Sequence, residues 1–398
     1  MSEFGFLVYS IIRIVFIILG IVTLVDYLQN RGQQRRDIML MFGSMTLAVI
    51  VSAINTFLAE PNPFLVSLSS LFLITQPYLL IRLVKYFHKI PGFIMSITVA
   101  GLILSGISVM VLNTVEIPWI VVLVTGYFVT IDGYATYIFY RQALQTSGVT
   151  MQRLRFTALG SGLLGVALFW IGIANFLPQL ASIITFLWLF ASIGAAVGLY
   201  LGLASPRWLR SFWQLQVLRT FLSKLADDAS NKTRDDIYSL LIHYACELPG
   251  AVSTEILLKE YSSGNWIKYE SGRWIPILPE VIPVLDQLLE TQTPNVLSVK
   301  DTDSILLNFL DHNDIEHQYI VPLFRKAQTS GLLIVSLNNA SLFVDDDLQI
   351  LALFVDQSDL FLENIELVRQ LQQHTIELEQ KVEQRTANLH KQLTNIHL

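Results

Sequence analysis

The chain has 398 residues, of which 53% are apolar and only 15% are charged, whereas about 25% of the residues of a soluble protein are charged. Residues 1–204 carry 10 Lys and Arg against 6 Asp and Glu, a net charge of +4, and residues 205–398 carry 16 against 26, a net charge of −10. This division excludes a single soluble domain and predicts a membrane half followed by an acidic soluble half.

Seven stretches of the first half are long and apolar enough to cross a bilayer, which takes about 20 helical residues. We expect no cleaved signal peptide at residues 1–29, because the segment begins with Glu3 rather than a cation and has no small-residue cleavage site before the basic loop. The expected spans are residues 5–29, 37–59, 63–87, 92–112, 117–140, 153–176 and 180–204.

The charges of the connecting loops predict the orientation of these spans. Lys and Arg occur after spans one, three, five and seven, while the alternate loops carry Glu60 and Glu116 and no cation. Because basic loops remain in the cytoplasm, we expect the N-terminus outside and residue 205 onward inside. The expected location is the cell inner (plasma) membrane, with lipid as a partner.

Polar side chains within the spans are functional candidates, since such groups are costly in hydrocarbon. Asp132 lies well inside span five, and we expect Arg82, about one turn away in depth, to be its partner. Such a pair is either a structural bridge or part of a ligand or signalling site. Arg13 is expected to extend outward or to face Asn55. The candidate sensing or structural residues are Arg13, Gln76, Arg82 and Asp132.

Several function classes are excluded by missing residue types. A retinal protein needs a lysine in its last span, and residues 180–204 contain none. One deep Asp and one deep Arg are too few for a pump or a channel. The single cysteine, Cys246, excludes an internal disulfide.

The soluble half begins with a heptad stripe over residues 206–228, which predicts a helix leaving the membrane. The rest, up to residue 368, alternates helical and extended patterns, which indicates an α/β (α+β) domain with a mainly antiparallel sheet and helices on one side. We expect a first helix from Asn231 to Glu247 and a last helix opening at Phe343. The expected strands are Thr254–Tyr261, Trp266–Tyr269, Asn295–Val299, Gln318–Leu323 and Leu332–Leu337.

The end of this domain resembles the closing half of a GAF sensory domain. The resemblance is carried by Ile320-Val321-Pro322-Leu323, by Gly331-Leu332-Leu333, by Phe343 with the acidic residues after it, and by Leu362-Glu363-Asn364. GAF domains bind cyclic nucleotides, bilins or haem, or no ligand. No cofactor is identified here, because Cys246 lies in the first helix rather than at the later position expected for a bilin-linking cysteine. An unknown small molecule remains possible.

Other side chains of the domain have ordinary explanations. His312 and His317 are expected to be exposed loop residues rather than a metal pair, since no further ligands lie at the usual spacing. Trp266 and Trp274 could line a pocket, but core or hairpin packing is the preferred interpretation. Cys246 is expected to be a small buried residue.

Residues 365–396 contain neither Gly nor Pro and predict a continuous helix. β-branched a positions with Leu at d favour a parallel dimer in the first two heptads, whereas Arg385 and Gln392 weaken the later ones. The expected coil interface is Val368, Leu371, Thr375, Leu378, Val382 and Leu389.

Two further segments resemble sensor histidine kinases. Residues 76–84 are similar to helix three of a seven-helix input region, and residues 378–386 to the coil before the phospho-acceptor helix. No acidic residue follows His374, His390 or His397, and the sequence ends at Leu398. We therefore expect no catalytic core and no enzymatic activity in this chain.

Together these features predict an α-helical seven-span bundle, a GAF-like domain and a C-terminal coiled coil, with domains at 1–204, 205–229, 230–364 and 365–398. The expected function is that of the input half of a sensor histidine kinase, relaying a stimulus to a homodimeric coil. An adaptor for a separate kinase or effector is the alternative, and a small-molecule transporter with a regulatory domain is another. No nucleic acid is expected as a partner.

Overall fold

A computed structural model gives the fold of this chain. It describes residues 3–396, except 30, 59, 61, 112–117, 147, 175, 228–231, 261–263, 271, 292, 299–314, 316, 326–327 and 338–343. His312 and Phe343 lie outside the described residues. The chain forms two compact units, of which the first holds Met1–Gln214 with Glu247–Gly250 and Leu337–Val344, and the second holds Leu215–Cys246, Ala251–Ser336 and Asp345–Leu398.

The first unit is helical, and its described residues include seven segments that are long and apolar enough to cross a membrane. The seven expected apolar helices are therefore confirmed, and they pack around a common apolar core. The helices of this unit are α1 (Glu3–Gln29), α2 (Gln33–Phe57), α3 (Pro63–Ile74), α4 (Gln76–Val84), α5 (Gly92–Val111), α6 (Pro118–Gln145), α7 (Gly148–Ala174) and α8 (Ala181–Leu203). The next helix, α9 (Arg207–Ala226), begins in this unit and has its residues from Leu215 onward in the second.

The third apolar segment is two helices rather than the single one expected. Thr75 separates α3 from α4, and Pro77 is in the first turn of α4. A proline lacks the N–H that would bond to the preceding turn, and its ring collides with the carbonyl four residues earlier. The break therefore follows from Pro77, and it places Gln76 at the first position of α4.

Glycines bring α7 and α8 into close backbone contact. Gly194, Gly198 and Gly202 recur every fourth residue and so share one face of α8. A Cβ atom at Gly198 would lie 2.8 Å from the Cα atom of Gly160 on α7. Side chains larger than hydrogen would push the two helices apart, which is the packing that small residues favour between membrane helices.

The second unit contains a six-stranded sheet in the order β3-β2-β1-β6-β5-β4. The described pairings, such as Ile256 with Tyr269 and Leu257 with Leu332, are antiparallel, as expected. The elements are α10 (Arg234–Glu247), β1 (Ser253–Lys259), β2 (Trp266–Glu270), β3 (Arg273–Pro276), α11 (Ile282–Glu290), β4 (Asn295–Ser298), β5 (His317–Arg325), β6 (Gln328–Leu337) and α12 (Val344–Ile396).

Helices cover both faces of this sheet, so the prediction of helices on one side is wrong. Trp266 of β2 packs in one apolar cluster with Leu285 of α11. Tyr269, three residues later on the same strand, instead contacts Tyr238 of α10, with ring centroids 6.2 Å apart. Residues three apart on a strand point to opposite faces, which places α10 and α11 on opposite sides.

The last helix is continuous from Val344 to Ile396. Its first part is packed into the domain, where Leu351, Phe354 and Val355 are almost completely buried. From Leu367 to Val382 its apolar side chains are exposed. The helix expected at the end of the domain and the one expected over residues 365–396 are thus a single element.

Candidate functional site

The best-defined polar contact of the apolar helices joins Arg82 of α4 to Asp37 of α2. The Arg82 Nη2 atom donates to Asp37 Oδ1 at 2.6 Å, and the Tyr86 hydroxyl donates to Asp37 Oδ2 at 3.0 Å. The expected Arg82–Asp132 pair is therefore wrong. Arg82 and Asp132 lie at a similar depth along their helices, but it is Asp37 that lies against the face of α4 that carries Arg82.

Asp132 is completely buried in α6, and neither of its carboxylate oxygens bonds to any described residue. Gln76 is equally buried, and both of its amide atoms lack a described partner, as does the buried Tyr127 hydroxyl. An unpaired buried polar group is unfavourable. These three side chains are accordingly the strongest candidates in the described bundle for binding a proton, water or a small ligand.

The packing of α6 explains why Asp132 is enclosed. The Cβ atom of Asp132 lies only 3.3 Å from the position that a Cβ atom would take at Gly165 of α7. Because glycine has no side chain, Gly165 leaves room for the Asp132 side chain. One turn further, Thr136 Oγ1 lies 2.9 Å from Ser161 Oγ of α7. The α6–α7 contact therefore contains a polar strip, which sequence reasoning did not identify.

A cavity of about 250 Å³ lies among α1, α2, α3, α7 and α8. Arg13 lines it, together with Tyr9 and Trp188. The Arg13 Nη2 atom donates to Thr56 Oγ1 at 2.9 Å, whereas the expected neighbour Asn55 accepts from the backbone N–H of Asn62 at 2.7 Å. Of the four intramembrane candidates, Arg13 is the one that lines this cavity.

In the second unit, a buried tryptophan holds a carboxylate at the edge of α11. Trp266 Nε1 donates to Asp286 Oδ1 at 2.9 Å, and Lys259 Nζ donates to the same oxygen at 2.7 Å. Burial alone would raise the pKa of Asp286, but these two hydrogen bonds hold it below its ordinary value. The cluster fixes α11 to the sheet.

The other residues considered in this domain have structural roles. Trp274 packs against Tyr238 and Tyr269, so the packing interpretation of both tryptophans is confirmed. Cys246 is half-buried and donates to the Ala251 carbonyl oxygen at 3.3 Å. His317 starts β5 rather than lying in a loop. Among the described residues no cluster of His, Cys, Asp and Glu could hold a metal ion.

A groove of about 640 Å³ runs beside the exit of α12 from the domain. Its walls include Asp356, Asp359 and Glu363 of α12, and Arg234 of α10 bonds to Glu366 at 2.6 Å. The excess of carboxylates makes the groove unfavourable for an anion.

An aromatic contact joins α9 to α12. Phe221 of α9 is fully buried, with its ring centroid 4.9 Å from that of Phe354 and 5.5 Å from that of Tyr244. The helix that follows the last apolar segment is therefore packed directly against the helix that leaves the domain. Sequence periodicity indicated a packing stripe on α9 but not its partner.

The expected coil positions lie on the exposed part of α12. Val368, Leu371, Leu378 and Val382 are 48%, 67%, 61% and 63% exposed. Thr375 is also exposed, and the side chain of Leu389 lies outside the described part. Exposed apolar side chains repeated along a helix indicate a surface that a second helix could cover, and the coiled coil remains a prediction.

The chain matches no protein-family model and no curated protein. Solved GAF domains are among the structures to which it is similar. The GAF domain of a two-component sensor histidine kinase from Bacillus halodurans is 20% identical, with 34% of this chain and 96% of that one covered and a TM-score of 0.28.

Two other solved structures are similar at the same level. A GAF domain/HD domain protein from Geobacter sulfurreducens is 16% identical over 35% of this chain and 96% of that one, with a TM-score of 0.29. A phycocyanobilin-bound GAF domain from a cyanobacterial phytochrome is 17% identical over 39% and 96%, with a TM-score of 0.32. Likenesses this weak carry no conclusion about a ligand or an activity of this chain.

Proposed function

We propose that this protein is a membrane-bound sensory signal-transduction protein. In this proposal a seven-helix region and a GAF-like domain receive stimuli, and α12 delivers the output as a dimeric cytoplasmic coil. The chain supplies no catalytic step of its own and acts on a kinase or effector.

The observation that carries the proposal is the contact between Phe221 and Phe354. α9 begins four residues after α8 ends, and its buried Phe221 touches the base of α12. A displacement of α9 would be transmitted to α12, because the close-packed contact between the two rings cannot absorb the displacement without repacking. The GAF assignment is supported by the residues around Pro322 and Gly331 and by the antiparallel sheet with helices on both faces.

The dimeric output is tested by disulfide cross-linking in membranes. In a background with Cys246 replaced by serine, Leu371→Cys and Leu378→Cys should each give a covalent dimer on mild oxidation. Gln373→Cys, at a surface position of the same helix, is the matched control and should give much less. Equal yields at all three positions would show that the helix has no defined seam.

Truncation of the Phe221 side chain tests the transmission from α9 to α12. Phe221→Ala should leave the coil able to dimerise, because Phe221 is not one of the coil positions of α12. It should nevertheless change the cross-linking yield at Leu371→Cys. Leu215→Ala is the control, since Leu215 lies on the same helix and is 59% exposed. Identical yields in the two variants and the parent would argue against transmission through this contact.

A further inference from the structure

The cavity at Arg13 holds a cation without a counter-charge. No carboxylate of the described residues lies within ion-pair distance of the Arg13 guanidinium. A guanidinium has five N–H donors. Of these, one on Nη2 donates to Thr56, while the buried Nε has no described partner. Donors therefore remain for a ligand.

The surroundings of Arg13 combine a polar end with apolar walls. The guanidinium carbon lies 4.2 Å from the centre of the Tyr9 ring, and Ser52 is 3.4 Å from the Tyr9 hydroxyl. The rest of the lining is largely apolar, including Phe16, Leu164 and Leu168. A site of this form favours a molecule with one anionic end and a hydrocarbon tail.

The location of the cavity limits the size and origin of the ligand. Arg13 lies about two helical turns into the first expected span, residues 5–29. All five contributing helices supply residues from the halves that the proposed topology places toward the outside. A volume of about 250 Å³ is slightly below the usual range for ligand sites, and it cannot enclose a phospholipid with two acyl chains.

We propose that this cavity binds an amphipathic carboxylate with a medium-length hydrocarbon tail. The carboxylate bonds to the Arg13 guanidinium through charge-assisted hydrogen bonds, and the tail lies against the apolar walls. This inference rests on the sensory role proposed above and names the ligand class of its membrane region. The anionic headgroup of a bilayer lipid shares this chemistry and is the other possible source.

Binding of radiolabelled decanoate to the full chain in phosphatidylcholine nanodiscs tests the site, with empty nanodiscs as the background. Arg13→Gln should weaken binding roughly tenfold or more, because a charged hydrogen-bonding partner is lost. Arg13→Lys keeps the positive charge and should lose less. Ala48→Leu, which fills the cavity from α2, should also weaken binding roughly tenfold. Decanol, which has the tail without the charge, should compete poorly.

Two substitutions serve as controls for charge and bulk. Arg31→Gln removes an exposed cation outside the cavity, and Ala53→Leu adds the same bulk elsewhere on α2. Both should bind decanoate like the parent. Nanodiscs that contain phosphatidylglycerol distinguish the two sources of the ligand. If phosphatidylglycerol competes with decanoate in a manner that depends on Arg13, the occupant is the lipid headgroup. If decanoate binding is unchanged, the occupant is the free carboxylate.

The proposal is overturned if the parent binds no more decanoate than empty nanodiscs do, or if Arg13→Gln and Ala48→Leu bind it as the parent does. Coil cross-linking at Leu371→Cys is measured separately in the same samples. Decanoate binding without any change in cross-linking would retain the site and reject the sensory role. Absent binding with intact Phe221-dependent cross-linking would reject the site alone.

Discussion

The Arg82 and Asp37 side chains are 26% and 3% exposed, so their charges face each other largely away from water. Removing one partner of such a pair costs more than the pair itself contributes, because the remaining charge stays buried without compensation. Tyr86 adds a third group to the same carboxylate. The contact ties α2 to the end of α4 and is expected to dominate the polar contribution to the stability of that junction.

Asp37→Asn should therefore destabilise the protein by roughly 3 kcal/mol, the lower end for a buried pair, since Arg82 is partly exposed. Thermal unfolding of the detergent-solubilised chain measures the change. The double variant Asp37→Asn with Arg82→Gln leaves no buried charge unpaired, because Arg36, the other cation near Asp37 at 3.6 Å, is 46% exposed. It should therefore recover most of the loss. A double variant as unstable as the single one would contradict this account.

Asp132→Asn should leave the fold intact, since the carboxylate bonds to no described residue and the amide has the same shape. The amide cannot carry the negative charge of a carboxylate, so the variant should change the cross-linking yield at Leu371→Cys if Asp132 takes part in signalling. Expression level and thermal unfolding provide the comparison. Loss of expression would favour a purely structural role.

At the scale of single elements, α11 is held to the sheet by Trp266 and Asp286. Trp266 is only 1% exposed, and its N–H is directed at a carboxylate that Lys259 also contacts. Because the pKa of Asp286 is lowered in the folded state, the stabilisation is present above the ordinary pKa near 4. It is lost as the pH falls through the lowered pKa.

Trp266→Phe keeps an aromatic ring in the core and removes this hydrogen bond, so it should cost about 1 kcal/mol at pH 7. The loss should shrink in acid, because the protonated carboxyl accepts hydrogen bonds more weakly. Amide hydrogen exchange of β1 and β2 in the full chain, compared at neutral and acid pH, measures both effects. Tyr269→Phe is the control on the opposite face, because it removes a hydrogen bond to the backbone carbonyl oxygen of Asp235, which does not titrate, and an equal pH dependence in the two variants would contradict the role of Asp286.

Element prediction from the sequence succeeded where the pattern is long and failed where it is short. The apolar spans and five of the six strands of the sheet follow from hydropathy and β-branched runs, but β3 has only four residues and ends in Pro276. A turn signal was present at Gly272, which has a φ of 80° and joins β2 to β3. Such a φ favours glycine.

The contacts among the apolar helices were harder to predict because depth along the helices does not determine which way a side chain points. Asp132 and Arg82 were paired by level alone, whereas Asp37 at the start of α2 supplies the actual partner. The Arg13 cavity is formed by two separate parts of the sequence, α1–α3 and α7–α8. The spacing of Gly194, Gly198 and Gly202 was visible in the sequence and could have indicated the α7–α8 contact.

For the whole molecule, the charge asymmetry of the loops gives a test of orientation. A reporter that is active only in the cytoplasm should function when fused after Arg210, because the basic loops mark that side. The same reporter should be inactive at Asn62 or Asn113. Activity at Asn62 would overturn the assignment of the spans, and with it the placement of the Arg13 cavity toward the outside.

The uninterrupted α12 has a mechanical consequence for any effector. Its 53 residues correspond to about 80 Å of helix at about 1.5 Å per residue. A tilt of about 5° at its base would move its tip by about 7 Å at that length. From Phe354 to Ile396 the helix measures about 63 Å at the same rise. Repacking of the single ring at Phe354 that tilts the helix by about 5° would therefore move an effector bound near Ile396 by about one helical turn.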